Sequence, residues 1–259
     1  MKKVLFLLSL TVSLISCKKD EVVPPQELPM PDVIDTTGFL EIHIANVVNG
    51  APLSLHTSTY VSSANDTFSV DLFKYYISNV ELVTASGYTY TEAESYYLVD
   101  HSQPNSLHLM IKKVPSNHFS SINFKIGVDS TRNVSGSQTG ALDPLNDMFW
   151  TWNSGYIMAK VEGHSPQSPE PTKKIVYHIG GFSGKFSGVR NVSLTFPNTA
   201  DVTKNHIPIL NLKADVYQWF VQPNFSDFST QYFITGIGQE SKDMANNYAN
   251  MFSVVSVVN

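Results

Sequence analysis

Apolar and polar residues alternate along much of the chain, the pattern of β-strands that bury one face. Near the start of this region, Leu40, Ile42 and Ile44 share one face. Glu41 and His43 lie on the other. The other predicted strands are 69–83, 88–99, 122–129, 155–162, 174–179, 192–196 and 207–214. Clusters of Gly, Asn, Ser and Pro separate these segments, so many short strands without long helices predict an all-β antiparallel sandwich.

The C-terminal region has helical spacing instead. Five apolar residues recur at intervals that place them on one face of a helix: Met244, Ala245, Tyr248, Met251 and Phe252. A short C-terminal helix is therefore predicted over 240–252. A shorter helical turn carrying Trp219 is predicted over 215–221.

The N-terminus has the features of a bacterial export signal. Two lysines precede an apolar run that is too short to span a bilayer. The run ends in Leu-Ile-Ser-Cys, which resembles a lipobox, and Cys17 is the single cysteine of the 259 residues. Residues 1–17 are therefore predicted to be a lipoprotein signal that ends in an acylated Cys17. Because Lys rather than Asp follows Cys17, we expect a cell-envelope protein anchored by lipid alone, in the outer membrane.

The composition of residues 18–259 divides them into a tether and a domain and argues against nucleic-acid binding and catalysis. Residues 18–38 are rich in proline and predict an extended tether, followed by one domain over 39–259. The net charge of −5 without a basic stripe argues against nucleic-acid binding. No nucleophile–base or acid–base set is recognisable, so the chain is not expected to be an enzyme. Without a cysteine in the domain, a metal would need His, Met or oxygen ligands.

Eight histidines are the candidate metal ligands, and no two of them are spaced as a local ligand pair on a strand or helix. His178 stands out, because it ends a predicted strand directly before Ile179, Gly180 and Gly181. An ordinary strand-end histidine would fit the spacing equally well.

Trp150 and Trp152 are two of only three tryptophans and would lie on the same face of a strand. Core packing of one ring explains the pair, as does a platform on which a glycan stacks. The spacing alone leaves both open.

Several longer motifs occur in a fixed order along the chain. They are 73-FKYYISNVEL-82, 124-FKIGVD-129, 140-GALDP-144, 148-MFWTWNSGYI-157, Glu162-Gly163 and 177-YHIGG-181. This series resembles the MbnP family of copper-binding proteins associated with methanobactin operons, together with its lipoprotein relatives. The resemblance runs from about Phe39 to Phe196, and 246-NNYANMF-252 resembles the ending of the lipoprotein branch.

The resemblance implies an exported, β-rich protein that binds copper in copper acquisition or buffering. It also implies that Trp150 or Trp152 is oxidised to kynurenine by a di-haem partner of the MbnH type, related to cytochrome c peroxidases. His178 is the histidine that matches a family motif. Additional ligands would come from the candidates His43, His56 and His101. The alternative function is a β-sandwich lipoprotein that binds a glycan or a protein through the tryptophan face.

Overall fold

The computed structural model describes residues 36–136, 138–150, 155–221, 223–224 and 226–259, which belong to one compact unit, Asp35–Asn259. Its strands are β1 (Thr37–Val48), β2 (Ala51–Pro52), β3 (Tyr60–Val61), β4 (Thr67–Thr84), β5 (Thr89–Thr91), β6 (Tyr96–Asp100), β7 (His108–Pro115), β8 (Asn117–Ile126), β9 (Phe149–Trp150), β10 (Gly155–Tyr156), β11 (Ala159–His164), β12 (Lys174–Ile179), β13 (Arg190–Val202), β14 (Ile209–Asp215), β15 (Phe233–Gly236) and β16 (Phe252–Val258). The α-helices are α1 (Ser130–Asn133) and α2 (Gln239–Tyr248). Short 3₁₀ turns span Pro104–Leu107, Gly140–Leu142, Pro144–Asn146, Gly184–Phe186 and Val216–Phe220.

Most strands belong to two sheets, and the predicted all-β sandwich is confirmed. The five-stranded sheet has the order β16–β14–β1–β2, with β7 also paired to β1. The nine-stranded sheet has the order β13–β8–β4–β11–β12–β15, with β3, β5 and β6 also paired to β4. The sandwich is not purely antiparallel, since β1 pairs in parallel with β14 and β12 with β15. Both parallel pairs join strands separated by long stretches of chain, as parallel connections require.

The hydrophobic core lies between the two sheets. From β1, Leu40 and Ile42 are 0% and 1% exposed, which confirms the inward face that the alternation predicts. Phe252 of β16 packs its ring against Tyr75 of β4 and Phe124 of β8, with centroid distances of 5.6 and 5.0 Å. These contacts cross from one sheet to the other, and buried aromatic pairs of this kind stabilise a core beyond the area that they bury.

The C-terminal helix is shorter than predicted. Helix α2 ends at Tyr248, and a turn closed by the hydrogen bond from Met251 N to Tyr248 O leads into β16. Phe252 therefore belongs to a strand. Its spacing from Met244 fits a helical repeat by coincidence. The β-branched residues of 253–258 favour the extended conformation. The predicted turn around Trp219 is present as the 3₁₀ turn Val216–Phe220.

A second apolar cluster covers part of the outer face of the nine-stranded sheet. We call it the outer cluster, and its buried members are Tyr76, Val128, Leu142, Met148, Trp150, Tyr156, Ile157 and Met158. The side chain of Asn133 connects its segments, since Nδ2 donates to Val128 O at 2.7 Å and Oδ1 accepts from Tyr156 N at 2.9 Å. Tyr156 Oη in turn donates to Leu142 O at 2.6 Å. These bonds hold β10 in place, and β10 pairs with β9, the strand that carries Trp150.

In the part of the chain that the structure describes, we find no helix with the length and apolar character needed to cross a membrane.

Candidate functional site

The tryptophan motif and the His-Ile-Gly-Gly motif meet on the outer face of the nine-stranded sheet. The Trp150 ring lies directly on the backbone of Gly180, where a Cβ would be only 2.1 Å from ring atom Cζ3. A glycine is therefore required at this position if the ring is to stay where it is. Trp150 is 7% exposed, so little of its ring is available to solvent. Trp152 lies outside the described residues.

His178 is two residues before Gly180 in the chain, so its position on β12 is about 7 Å from the point where the Trp150 ring packs. Its Nε2 is 2.7 Å from Oε1 of Glu162, a β11 residue. An ionised carboxylate only accepts hydrogen bonds, so Nε2 carries the hydrogen and Nδ1 is the ring nitrogen left to act as a ligand. The side chain of His178 is 18% exposed, which leaves it partly accessible.

Two further charges surround this imidazole–carboxylate pair. Lys160 faces His178 in the register of β11 and β12, and its ammonium lies 3.5 Å from Glu162 Oε1. The same ammonium is 2.6 Å from Asp147 Oδ2, an aspartate just before the tryptophan motif. Hydrogen bonding from His178 lowers the pKa of Glu162 to about 2, against the opposing effect of burial, and Lys160 adds to the lowering. The carboxylate is thus held ionised.

His101 has a structural role in the described chain. Its Nδ1 accepts a hydrogen bond from Asn46 Nδ2 at 3.1 Å, and its Nε2 donates to Leu53 O at 3.1 Å. Tyr75 Oη donates to Asn46 Oδ1 at 2.9 Å, which extends the network into the core. Burial lowers the pKa of His101. Both ring nitrogens are therefore engaged within the protein.

His56 and His43 lie in other charged groups. His56 Nδ1 is 3.2 Å from Asp71 Oδ1, and His164 Nδ1 is 2.7 Å from the second oxygen of that carboxylate. His43 lies on β1 beside Glu41 and His108. Within the described ranges, the structure does not gather His43, His56 or His101 into a three-ligand group with His178.

Sequence reasoning missed the partners of these histidines. Glu41 is two residues from His43, so both side chains lie on the same face of the strand. This spacing is the one local pattern that predicts a contact between them. His108 becomes its neighbour only through the pairing of β1 with β7. Glu162 belongs to one of the family motifs, but the sequence alone gives it no role. Its contact with His178 depends on the register of β11 and β12.

These features define a two-sheet β-sandwich with an imidazole–carboxylate pair beside a buried tryptophan. The chain belongs to the MbnP family, whose model matches residues 37–240. A solved structure of MbnP from Methylosinus trichosporium is similar, with a TM-score of 0.52 and 14% sequence identity over 74% of this chain and 80% of that one. At this identity the likeness shows the fold. A comparison with curated proteins gives no match.

Proposed function

We propose that this chain is a copper-binding protein of the cell envelope, with its copper site beside Trp150 and His178. The observation that carries the proposal is the packing of Trp150 on Gly180, two residues from His178. This packing puts the two family motifs next to each other on one sheet face. Membership of the MbnP family supports a copper-related role.

The donor chemistry at this position fits copper. The single cysteine, Cys17, belongs to the predicted lipoprotein signal and not to the predicted domain over 39–259, so imidazole is the best remaining ligand for an exported copper ion. A metal-binding histidine usually donates its other ring N–H to a carboxylate, which fixes the ring and raises its basicity. Glu162 stands in that relation to His178, so Nδ1 would bind the ion. Met148 is fully buried in the outer cluster, so it serves as packing.

We infer that the second copper ligand is an oxidised tryptophan. Kynurenine carries an aromatic amine and a ketone, and one formed from Trp150 would lie next to His178. We assign the oxidation to a partner of the di-haem, MbnH type. Transfer of electrons through the protein does not require the indole to contact the haem, so the low exposure of Trp150 is compatible with this step. Trp152 remains the other candidate.

The same proposal places the protein on the membrane through Cys17. Residues 1–17 would act as the signal and 18–38 as the tether that holds the domain away from the lipid. Replacing Cys17 with Ala should release the protein from the outer-membrane fraction into the soluble fraction. Continued membrane association of this variant would contradict lipid anchoring.

Copper titration of the purified full-length protein tests the site. His178→Ala should weaken copper binding at least tenfold, which corresponds to about 1.4 kcal/mol or more. Glu162→Gln should weaken it by about 10- to 100-fold, because the ring loses its orienting carboxylate. His118→Ala is the matched control, since His118 also pairs with a carboxylate, Asp201 at 2.7 Å, but is 73% exposed and lies far from the motifs in the sequence. Equal copper affinity in the wild type and His178→Ala would refute this site.

Peptide mass spectrometry on protein from the native host tests the modification. The peptide that holds Trp150 and Trp152 should show the mass of kynurenine at one of the two positions. Unmodified tryptophans with bound copper would retain the copper site and remove the di-haem partner. The glycan-binding alternative loses its main support in the buried position of Trp150, which presents little surface for stacking.

A further inference from the structure

A second group of ligand atoms lies on the outer face of the five-stranded sheet. Glu41, His43 and His108 each offer one atom, and the three atoms lie within 4.8 Å of one another. Among the described residues, this is the group in which three such side chains meet. It lies on β1 and β7, whereas His178 lies on β12 of the other sheet.

Backbone pairing fixes this arrangement. His43 of β1 is directly opposite His108 of β7, and Glu41 is opposite Met110. Side chains opposite each other in an antiparallel pair have Cβ atoms about 4.5–5.5 Å apart and point to the same face. The histidine rings meet edge to face, with centroids 4.3 Å apart at 72°. Strand β1 has neighbours on both sides, β14 and β7, so the ligands rest on a rigid part of the sheet.

The separations suit a small metal ion. Glu41 Oε1 is 2.8 Å from His43 Nε2 and 3.7 Å from His108 Nδ1. Ligand atoms about 2.0–2.1 Å from a tetrahedral zinc ion are about 3.4 Å apart, so the two distances bracket the required value. Side-chain rotations that bring all three separations, now within 4.8 Å, to about 3.4 Å would complete the geometry.

One atom of the group is without its usual partner. His43 Nε2 is shielded from solvent and makes no hydrogen bond. Glu41 Oε1 lies 2.8 Å from this nitrogen, but the two atoms do not make a hydrogen bond. A buried nitrogen that makes no hydrogen bond is costly. With the ring hydrogen on Nδ1, Nε2 carries a lone pair, and coordination of a cation by this lone pair would remove that cost.

We propose that Glu41, His43 and His108 form a second metal site that takes a divalent transition ion of the zinc class. Two imidazole nitrogens and one carboxylate oxygen are a zinc-type ligand set, with the fourth position left for water or an external ligand. This site is independent of His178 and of the copper function proposed above.

Isothermal titration calorimetry, with zinc added to the full-length protein, tests the proposal. The wild type should bind one zinc ion at this site, and His43→Ala and His108→Ala should each weaken that binding at least tenfold. His108 is 53% exposed, so its replacement leaves the core intact. His118→Ala, which removes an exposed histidine paired with one carboxylate, should leave zinc affinity unchanged. His178→Ala should also leave it unchanged, which separates this site from the copper site.

Absence of zinc binding in the wild type would overturn the proposal. Zinc binding that is insensitive to His43→Ala and His108→Ala would also overturn it, since the ion would then be held elsewhere. Equal losses in His118→Ala and His108→Ala would show scattered binding by surface histidines and would have the same consequence. Circular dichroism of each variant checks that the fold is retained.

Discussion

Replacing Gly180 with Ala tests the contact on which the motif face depends. The new Cβ would lie 2.1 Å from Cζ3, 2.7 Å from Cη2 and 3.2 Å from Cε3 of Trp150. Carbon atoms in favourable contact are about 3.5–4.0 Å apart, so the indole must move by more than about 1 Å. The φ of Gly180 lies outside the left-handed region that favours glycine, so the effect of the substitution is steric rather than conformational.

The cost follows from the surroundings of the ring. Trp150 is rigid and belongs to the outer cluster, so it cannot swing aside as a flexible surface side chain would. Overpacking of a well-packed interior costs about 1–3 kcal/mol. For a domain of this size, each kcal/mol lowers the unfolding midpoint by about 2–4 °C, so we expect Gly180→Ala to lower Tm by about 2–12 °C.

Thermal unfolding followed by circular dichroism measures this loss. Gly238→Ala is the matched control, because Gly238 has an extended backbone with φ 172° and no atom within 4 Å of the added Cβ. Gly238 is the N-cap of α2, where Ala is a poorer cap, and this loss opposes the gain from a less flexible unfolded chain, so the net change should stay within about 1 kcal/mol. In a Trp150→Leu background the penalty of Gly180→Ala should shrink, because the smaller side chain leaves room. Equal stability of Gly180→Ala and Gly238→Ala would refute the packing argument.

Two other substitutions test the electrostatic and polar networks. Because the pKa of Glu162 is lowered from 4.5 to about 2 in the folded state, its stabilising contribution is fully present above 4.5 and is lost as pH falls towards 2. Urea unfolding over this range should show a steeper loss of stability in the wild type than in Glu162→Gln, and parallel curves would contradict the assignment. Tyr75→Phe removes the hydroxyl that donates to Asn46 in the buried network and should cost about 1–2 kcal/mol in urea unfolding. An unchanged midpoint would show that this hydrogen bond has no net effect.

The strands were predictable because burial repeats locally. The prediction over 174–179 coincides with β12 (Lys174–Ile179), where alternate residues enter the core. The alternation of Leu40, Ile42 and Ile44 likewise fixed the inward face of β1. Such patterns need only one strand and one buried face, so no knowledge of the partner strand is required.

The C-terminal strand was missed for a related reason. Phe252 satisfies a helical period counted from Met244, and a period of this kind cannot tell where a helix ends. The helix ends because the residues before Phe252 form a turn, after which β14 offers a free edge for β16. The edge of β14 is a property of the whole sheet and is absent from the local sequence. The parallel pairing of β1 with β14 was unpredictable on the same grounds.

The candidate sites extend this argument to chemistry. His43 and His108 are far apart in the chain and carry no ligand spacing, yet the register of β1 and β7 places them opposite each other. His178 acquires Glu162 in the same way, through β11 and β12. In a sandwich, a shift of one residue in register would turn each of these side chains to the other face. Strand pairing therefore decides which histidines have partners, and the two groups, on separate sheets, can be tested and lost independently.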